Sequence, residues 1–534
     1  MATMTSSPPI DVRDRVLDAL VQRLGPDAVE LSLTKRTFFS TDLSKRGEIA
    51  LAVIAPRDTQ ALADAVQLCA DTGLAVVPRG GGFSYTGGYV PTTSDSVIVD
   101  MRRLNRIVEI NADDMYVIVE AGVTWANLYE ALKAMGLRTP YFGPMSGYSA
   151  TIGGATSQGS FFLGSTQYGP VADSVLGLEV VLADGTILRT GSWGGAGDVQ
   201  PFLRHYGPDL TGLFLSDTGA LGFKTTIALK LILFPAHQQF ASFAFSDEAT
   251  AIATLSAIGR LGIAGECYLW DPYFAQIMAA ASTGLMEDLK FLGGVARGGG
   301  SFGRGLKNAA RMALAGRSDL TADTFVLNVT IDDFSSAGAD ARLAIIREVA
   351  KAHDAREITP SAPMAMRGTP FTNFNIVERR TPLRNLPVHG LTSHSRAVGF
   401  GNRIRGLIDT RAAELAAGGV EVGVIYFAVG QQMVCAEALC YWTDDEHFSH
   451  DRVAETSDLA ALGRYTDHPD ATKLAFDFRV QFTAICEATG CAHVQIGKSY
   501  PWLVTRSASV RSLVTRIKAL VDPRGLVNPG SLGF

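Results

Sequence analysis

The stretch Val77-Pro78-Arg79-Gly80-Gly81-Gly82-Phe83-Ser84-Tyr85-Thr86-Gly87-Gly88 decides how the rest of the chain is read. It follows an apolar run, Ala75–Pro78, that reads as a strand. Three glycines after a strand let the backbone approach a bound group closely, because no Cβ intervenes. Their N–H groups can then converge on phosphate oxygens. A dinucleotide fingerprint of the doubly wound type would open a helix here and place an acidic residue about 20 positions on. Instead the turn runs through Gly87-Gly88 to Pro91 with no helix signal. A P-loop is excluded too, since no Gly-Lys-Ser/Thr follows.

Upstream, Ile49–Ile54 reads as a strand and Thr59–Thr72 as a helix with Asp58 as its N-cap, which completes a β-α-β unit. Residues 11–24 form a short amphipathic helix. Downstream, strands are expected at Val97–Asp100, Ile107–Ile110 and Tyr116–Glu120, and a helix at Trp125–Met135. A second glycine-rich segment, Ser149-Ala150-Thr151-Ile152-Gly153-Gly154-Ala155-Thr156, follows about seventy positions after the first. Val175–Leu182 and Thr186–Arg189 pair around Asp184-Gly185, a two-residue hairpin signal. Leu221–Leu233 adds more strand pattern. After Pro235 helical stretches lengthen, with strands at Ala241–Phe245, Thr324–Ile331, Gly423–Ala428 and Met433–Tyr441. Gly293–Gly305 reads as a flexible loop. A helix and an ordered turn series close the chain over Ala508–Phe534.

Composition narrows the class. Of 534 residues, 47% are hydrophobic and 19% charged, with a net charge of −6 and no run of five like charges. Nucleic acid and anionic membranes both reward clustered Lys and Arg, so neither is an expected partner. Six cysteines without CxxC spacing suit buried thiols in a reducing compartment. Met1–Arg13 has no signal-peptide pattern, and Gly423–Trp442 alternates like a strand and carries Glu437, so no membrane span is expected. The expectation is a cytoplasmic enzyme of α+β class acting on a small molecule, with assembly into identical subunits left open. Metal ligands are not expected: His493 lacks near partners, and His447 and His450 sit among Asp444, Asp445 and Glu446.

Two small-residue segments in one α+β region suit a long ligand with a diphosphate centre and a flat ring. The run from Val77 to Gly88 resembles the FAD-diphosphate loop of the vanillyl-alcohol oxidase/p-cresol methylhydroxylase superfamily. So do Ala150–Thr156, Thr218–Thr225 and Val521–Gly533, in the family's order across nearly the whole chain. The resemblance implies FAD and a p-cresol-methylhydroxylase-type FAD-binding domain of two subdomains with an α+β cap. The expected divisions are a lead-in at 1–45, the FAD domain at 46–236, the cap at 237–480 and a returning segment at 481–534. The implied FAD contacts are Pro78, Arg79, Gly80, Gly81, Gly82, Phe83, Ser84, Gly87, Thr151, Gly153, Gly154, Thr156, Ser157, Gly222, Ile227 and Asn528.

Arg367-Gly368-Thr369-Pro370 and Val388–Ser393 resemble the branch that oxidises para-substituted phenols. In that branch a cap histidine is bonded to the flavin, and His389 takes its position, with His394 as the rival. The catalytic positions depart from the branch. A phenol-binding tyrosine aligns with Thr86, next to Tyr85; an aspartate aligns with Ser157; and a Tyr-Arg pair falls at Lys498-Ser499-Tyr500 without the arginine. Candidate catalytic residues are therefore Tyr500 and Tyr85 as phenols near the substrate hydroxyl, Lys498 as the cation near the reduced flavin, and Arg379 (with Arg380) for an anionic substrate group. The first reading is an FAD-dependent oxidase or dehydrogenase of an aromatic or phenolic alcohol. A 2-hydroxy-acid dehydrogenase of the D-lactate or glycolate type is the alternative. A non-redox flavin-dependent transferase or lyase, as alkyl-glycerone-phosphate synthases are, is a third. The electron acceptor is left open between oxygen, a cytochrome and a quinone.

Overall fold

A computed structural model describes residues 10–281, 323–371, 383–444 and 468–534. The β-α-β unit before the first glycine run forms as its pattern predicts. Asp58 accepts a hydrogen bond from the Ala61 N–H at 2.8 Å and starts the helix Thr59–Thr72, which ends at Gly73 in the left-handed conformation (φ 84°). The helix buries Leu62, Ala63, Val66 and Cys69 against parallel strands at Ala52–Ile54, Ser96–Asp100 and Ala75–Arg79. Those strands are covered on both faces, and this is why they read as continuous apolar runs. A short antiparallel strand, Val29–Glu30, closes one edge. At the other, Val527 of the C-terminal tail bridges to Val76.

A second sheet is antiparallel. Its order is Ile107–Asn111, Tyr116–Glu120, Phe223–Lys230, Val175–Val181, Ile187–Arg189, with the Asp184-Gly185 turn joining the last two. Both sheets pack into one core that contains Trp125, Tyr141 and Phe223. The architecture is α+β, with the two sheets forming the two subdomains that flank the glycine-rich segments.

The cap is a seven-stranded antiparallel sheet, ordered Arg356–Ile358, His237–Phe245, Phe325–Asp333, Glu266–Trp270, Glu421–Val429, Met433–Thr443, Leu383–Ser393. Helices Glu248–Leu261, Ser336–Ala352, Ala397–Ala417 and Pro469–Thr489 bury one face of it, packing on Val388, Ala436, Ala438 and Trp442. The opposite face carries Tyr268, Trp270, Leu439 and Tyr441, which pack with Phe162 of the N-terminal domain. The strand Leu383–Ser393 is not evident in the sequence, because Pro387 and Gly390 interrupt its pattern. It is the edge strand and pairs along its length with Met433–Thr443, and an edge tolerates a proline whose nitrogen faces away from its partner. The Gly293–Gly305 loop and His447 and His450 lie outside the described residues.

A buried ion cluster joins the cap to the N-terminal α+β domain. Arg367 donates to Glu266 at 2.8–3.0 Å and to Asp332 at 2.7–3.1 Å. Arg138 of the N-terminal domain lies 3.1 Å from Asp332, and the Gly164 N–H donates to Glu266 at 2.8 Å. Burial pushes Asp332 up, but Arg367 and Arg138 outweigh it and hold the carboxyl at about 2. The motif around Arg367, which resembles a family signature, thus serves the interface. Replacing Arg367 by Met would leave the buried Glu266 without a cation and Asp332 with Arg138 alone. Arg367→Met should destabilise the protein by about 3–5 kcal/mol, measured as a fall in the urea midpoint. An unchanged midpoint would show that the cluster does not hold the cap.

Candidate active site

Three of the small-residue segments converge on one cleft between the two subdomains, with about 930 Å³ of empty space. Pro78, Gly80, Gly81, Gly82, Phe83 and Ser84 line it from the first loop; Thr151, Gly153, Gly154 and Ser157 line it from the second; Gly222 lines it from the third. Thr151 caps the helix Ile152–Gln158 by accepting the Gly154 N–H at 3.2 Å. The Gly153 N–H donates to Ala121 at 2.8 Å.

Glycine is required in the first loop for a reason beyond contact with a ligand. A Cβ on Gly81 would stand 2.0 Å from the Ser149 carbonyl oxygen, and one on Gly80 2.5 Å from Thr151 Oγ1. The glycines let the two loops touch each other, and that contact shapes the cleft. Gly82 has φ 79°, a conformation that disfavours any side chain.

Other expected contacts lie elsewhere. Arg79 is buried against Phe38, Phe39 and Tyr89. Gly87 donates its N–H to Asp42. Thr156 is buried and donates to the Ile152 and Gly153 carbonyls within its own helix. Ile227 is core on the strand Phe223–Lys230. Asn528 does not line the cleft but holds it together, its amide donating to the Gly88 carbonyl at 2.8 Å and the Thr218 carbonyl at 2.7 Å.

The cleft also has residues that the sequence reading did not select. Met101, Ala121, Pro144 and Ala155 supply apolar wall, and Gln158, Ser160, Thr218, Lys224 and Gln495 supply polar groups. Thr218 and Lys224 lie in a stretch already singled out by resemblance; Gln495, more than 260 residues further on, has no sequence signal. Lys224 is the one charged residue of this lining among the described residues, and Asp217 neutralises it at 2.5 Å. The Gln158 Oε1 is buried without a partner, and no backbone acceptor takes the Gly81 N–H among the described residues. A donor and an acceptor therefore remain in an apolar-walled cleft with close backbone approach. These features fit a flavin dinucleotide.

On the cap side, the segment Cys491–Tyr500 caps the open edge of the strand Leu383–Ser393. The His389 N–H donates to the Tyr500 hydroxyl at 3.4 Å, the His493 Nδ1 bonds to the His389 carbonyl at 2.9 Å, and Ala492 bridges Leu391. Tyr500 stacks on His493 with centroids 4.0 Å apart. Burial raises the Tyr500 hydroxyl pKa. Burial, and then the charge of His493, lower His389 to about 3, so its imidazole is neutral at physiological pH; its Nδ1 is buried without a partner. His394 bonds Ser256 and the Gln431 carbonyl instead.

The remaining catalytic candidates are dispersed. Lys498 donates to the Val90 carbonyl at 2.6 Å, and burial, with Lys45 adding, lowers it to about 7. The Tyr85 carbonyl accepts from Ser44 and Arg479. Neither Lys498 nor Tyr85 lines the cleft. Arg379 and Arg380 lie outside the described residues. No group of three His, Cys, Asp or Glu among the described residues is placed to hold a metal.

The comparisons agree with this geometry. Residues 50–191 match the FAD binding domain family. The glycolate oxidase subunit GlcD of Bacillus subtilis is 34% identical over 244 residues, which are 46% of this chain and 50% of that protein. The mitochondrial D-lactate dehydrogenase [cytochrome] 1 of Saccharomyces cerevisiae is 28% identical over 259 residues, 47% of this chain and 42% of that protein. The chain thus spans about half the length of the curated relatives it matches. p-Cresol methylhydroxylase with bound substrate superposes with a TM-score of 0.73 at 18% identity, over 99% of this chain and 98% of that one, a likeness of fold.

The contact between loops is open to test. Gly81→Ala should leave a folded protein whose FAD affinity falls at least about tenfold, or about 1.4 kcal/mol, read from the flavin-to-protein absorbance ratio. Thr92→Val, outside the loop, should retain full flavin. Full occupancy in Gly81→Ala would show that the loop contact does not shape the site.

Proposed function

We propose that this chain, an FAD-linked oxidoreductase of the vanillyl-alcohol oxidase/p-cresol methylhydroxylase superfamily, acts on a small aromatic or phenolic alcohol held between the flavin cleft and the cap. Bound FAD supplies the hydride acceptor. The first loop, Thr151–Gly154, Ser157, Gln158 and Thr218–Gly222 would hold it. The observation that carries the substrate class is the aromatic cluster on the face where cap meets flavin domain. Phe161 and Phe162, directly after the cleft residue Ser160, meet Phe427 edge-to-face at 5.6 and 5.5 Å, and Phe162 meets Tyr268 at 6.0 Å. Such a wall binds a flat ring and excludes water. On the same sheet face, His389 is a neutral imidazole and Glu437 a carboxyl, and neither attracts an anionic substrate.

A 2-hydroxy acid is the second reading, favoured by the relatives named for glycolate and D-lactate. A panel of benzyl alcohol, 4-methylphenol, glycolate and D-lactate, run with oxygen and with an artificial electron acceptor, separates the two and identifies the acceptor class. The aromatic substrates are expected to show kcat/KM at least about tenfold higher. The reverse order would replace the aromatic reading by the 2-hydroxy-acid one.

The unpartnered Nδ1 and neutral state of His389 also support a covalent link to the flavin. In acid-denatured protein the flavin fluorescence should stay with the polypeptide on a gel, and His389→Ala should release it. Free FAD from the wild type would refute the link.

A further inference from the structure

Glu437 lies in the middle of the strand Met433–Thr443. Its even-numbered neighbours Ala436 and Ala438 pack under the helices, whereas Leu439 and Tyr441 join the aromatic cluster on the other face. Alternation puts Glu437 on that second face. Its cross-strand partners are His389 on one side and Ile425 on the other. Cys435 and Tyr500 feel its charge.

The carboxyl makes no hydrogen bond or ion pair among the described residues, unlike Glu266 and Asp332 in the same sheet. Its side chain keeps partial solvent exposure on the face that carries the aromatic cluster. Burial alone raises it to about 7. An unpartnered buried carboxyl lowers stability, and no hydrogen bond or ion pair among the described residues offsets this for Glu437.

We propose that Glu437 accepts the hydroxyl proton of the substrate. The inference rests on the reading above, that a hydroxyl-bearing substrate enters between cleft and cap. In the step, the substrate O–H bond breaks, the proton bonds to a carboxylate oxygen of Glu437, and the electron pair stays on the substrate oxygen. His389, uncharged beside it, does not compete as a base. Because the carboxylate occupies this face, a substrate carboxylate is disfavoured by like charge.

The test uses the flavin-loaded enzyme and the isosteric Glu437→Gln. For whichever alcohol the panel shows to be turned over, wild-type kcat/KM should rise with pH through a limb near about 7. Glu437→Gln should lose the limb and at least about 100-fold in rate, and Glu437→Asp should keep the limb. A retained limb and rate in Glu437→Gln would overturn the proposal.

Two arms need no turnover. The raised carboxyl binds a proton more tightly folded than unfolded, so the wild type loses stability as pH climbs from the ordinary carboxylate range through about 7. The Tm of Glu437→Gln should therefore gain on the wild type between about pH 5 and about pH 8; a pH-independent difference would count against a carboxyl that ionises there. At the higher pH, benzoate should perturb the bound-flavin absorbance at a concentration at least about tenfold lower in Glu437→Gln; equal titrations would overturn the placement. If only glycolate or D-lactate is turned over and the limb still vanishes in Glu437→Gln, the aromatic reading and the exclusion of carboxylates fall, and the proton-accepting role of Glu437 stands.

Discussion

The site depends on the return of the C-terminal tail to the first sheet. Asp522 accepts the N–H groups of Leu526 and Val527 at 3.0 and 2.8 Å and pairs with Lys518 at 2.6 Å. Lys518, almost fully buried, also donates to the Ala220 and Val527 carbonyls. The tail then presents Asn528, whose single amide satisfies carbonyls of Gly88 and Thr218. Those residues belong to segments 130 positions apart. Removing the amide would leave two buried acceptors without a donor, a cost of about 1–3 kcal/mol each. This side chain and the turn behind it help to hold the spacing of the first and third loops, and so the width of the cleft.

The same segment links the cleft to the cap. Gln495, Gly497 and Lys498 bond by their backbone N–H groups to Gln158, Thr218 and Thr86, while Ala492, His493 and Tyr500 seal the edge of the cap sheet. A chain that enters the cap sheet at His237 thus comes back along the seam. With the Arg367 cluster on the other side, the cap is tied at two places, and the aromatic face between them is shielded from water.

The electrostatic character of the two halves differs for a physical reason. In the cleft, charge is cancelled close to its source, as with Lys224 and Asp217, and backbone groups and amides are left for a ligand. On the cap face, burial itself keeps groups uncharged: His389 is held deprotonated and Glu437 tends toward its protonated form. Low dielectric makes a proton on this face responsive to what binds beside it.

Much of the flavin domain was legible in the sequence because it is built from local signals. Asp58 before an apolar helix, Asp184-Gly185 between two strands, and continuous apolar runs each act within a few residues. The glycine segments marked the cleft for the same reason, since close approach demands glycine at the point of contact. The family resemblance implied Arg79, Thr156 and Ile227 as FAD contacts; in the structure Arg79 packs on aromatic rings, Thr156 bonds within its own helix and Ile227 is core. The strand Leu383–Ser393 escaped notice because its pattern is broken at the positions an edge permits. What only the tertiary structure decided is which distant groups meet: Glu437 beside His389, Gln495 at the cleft, Arg138 and Arg367 on one aspartate. Register between strands and the path of the returning tail set those contacts. They are summed over the whole packed core, so no local stretch of sequence encodes them.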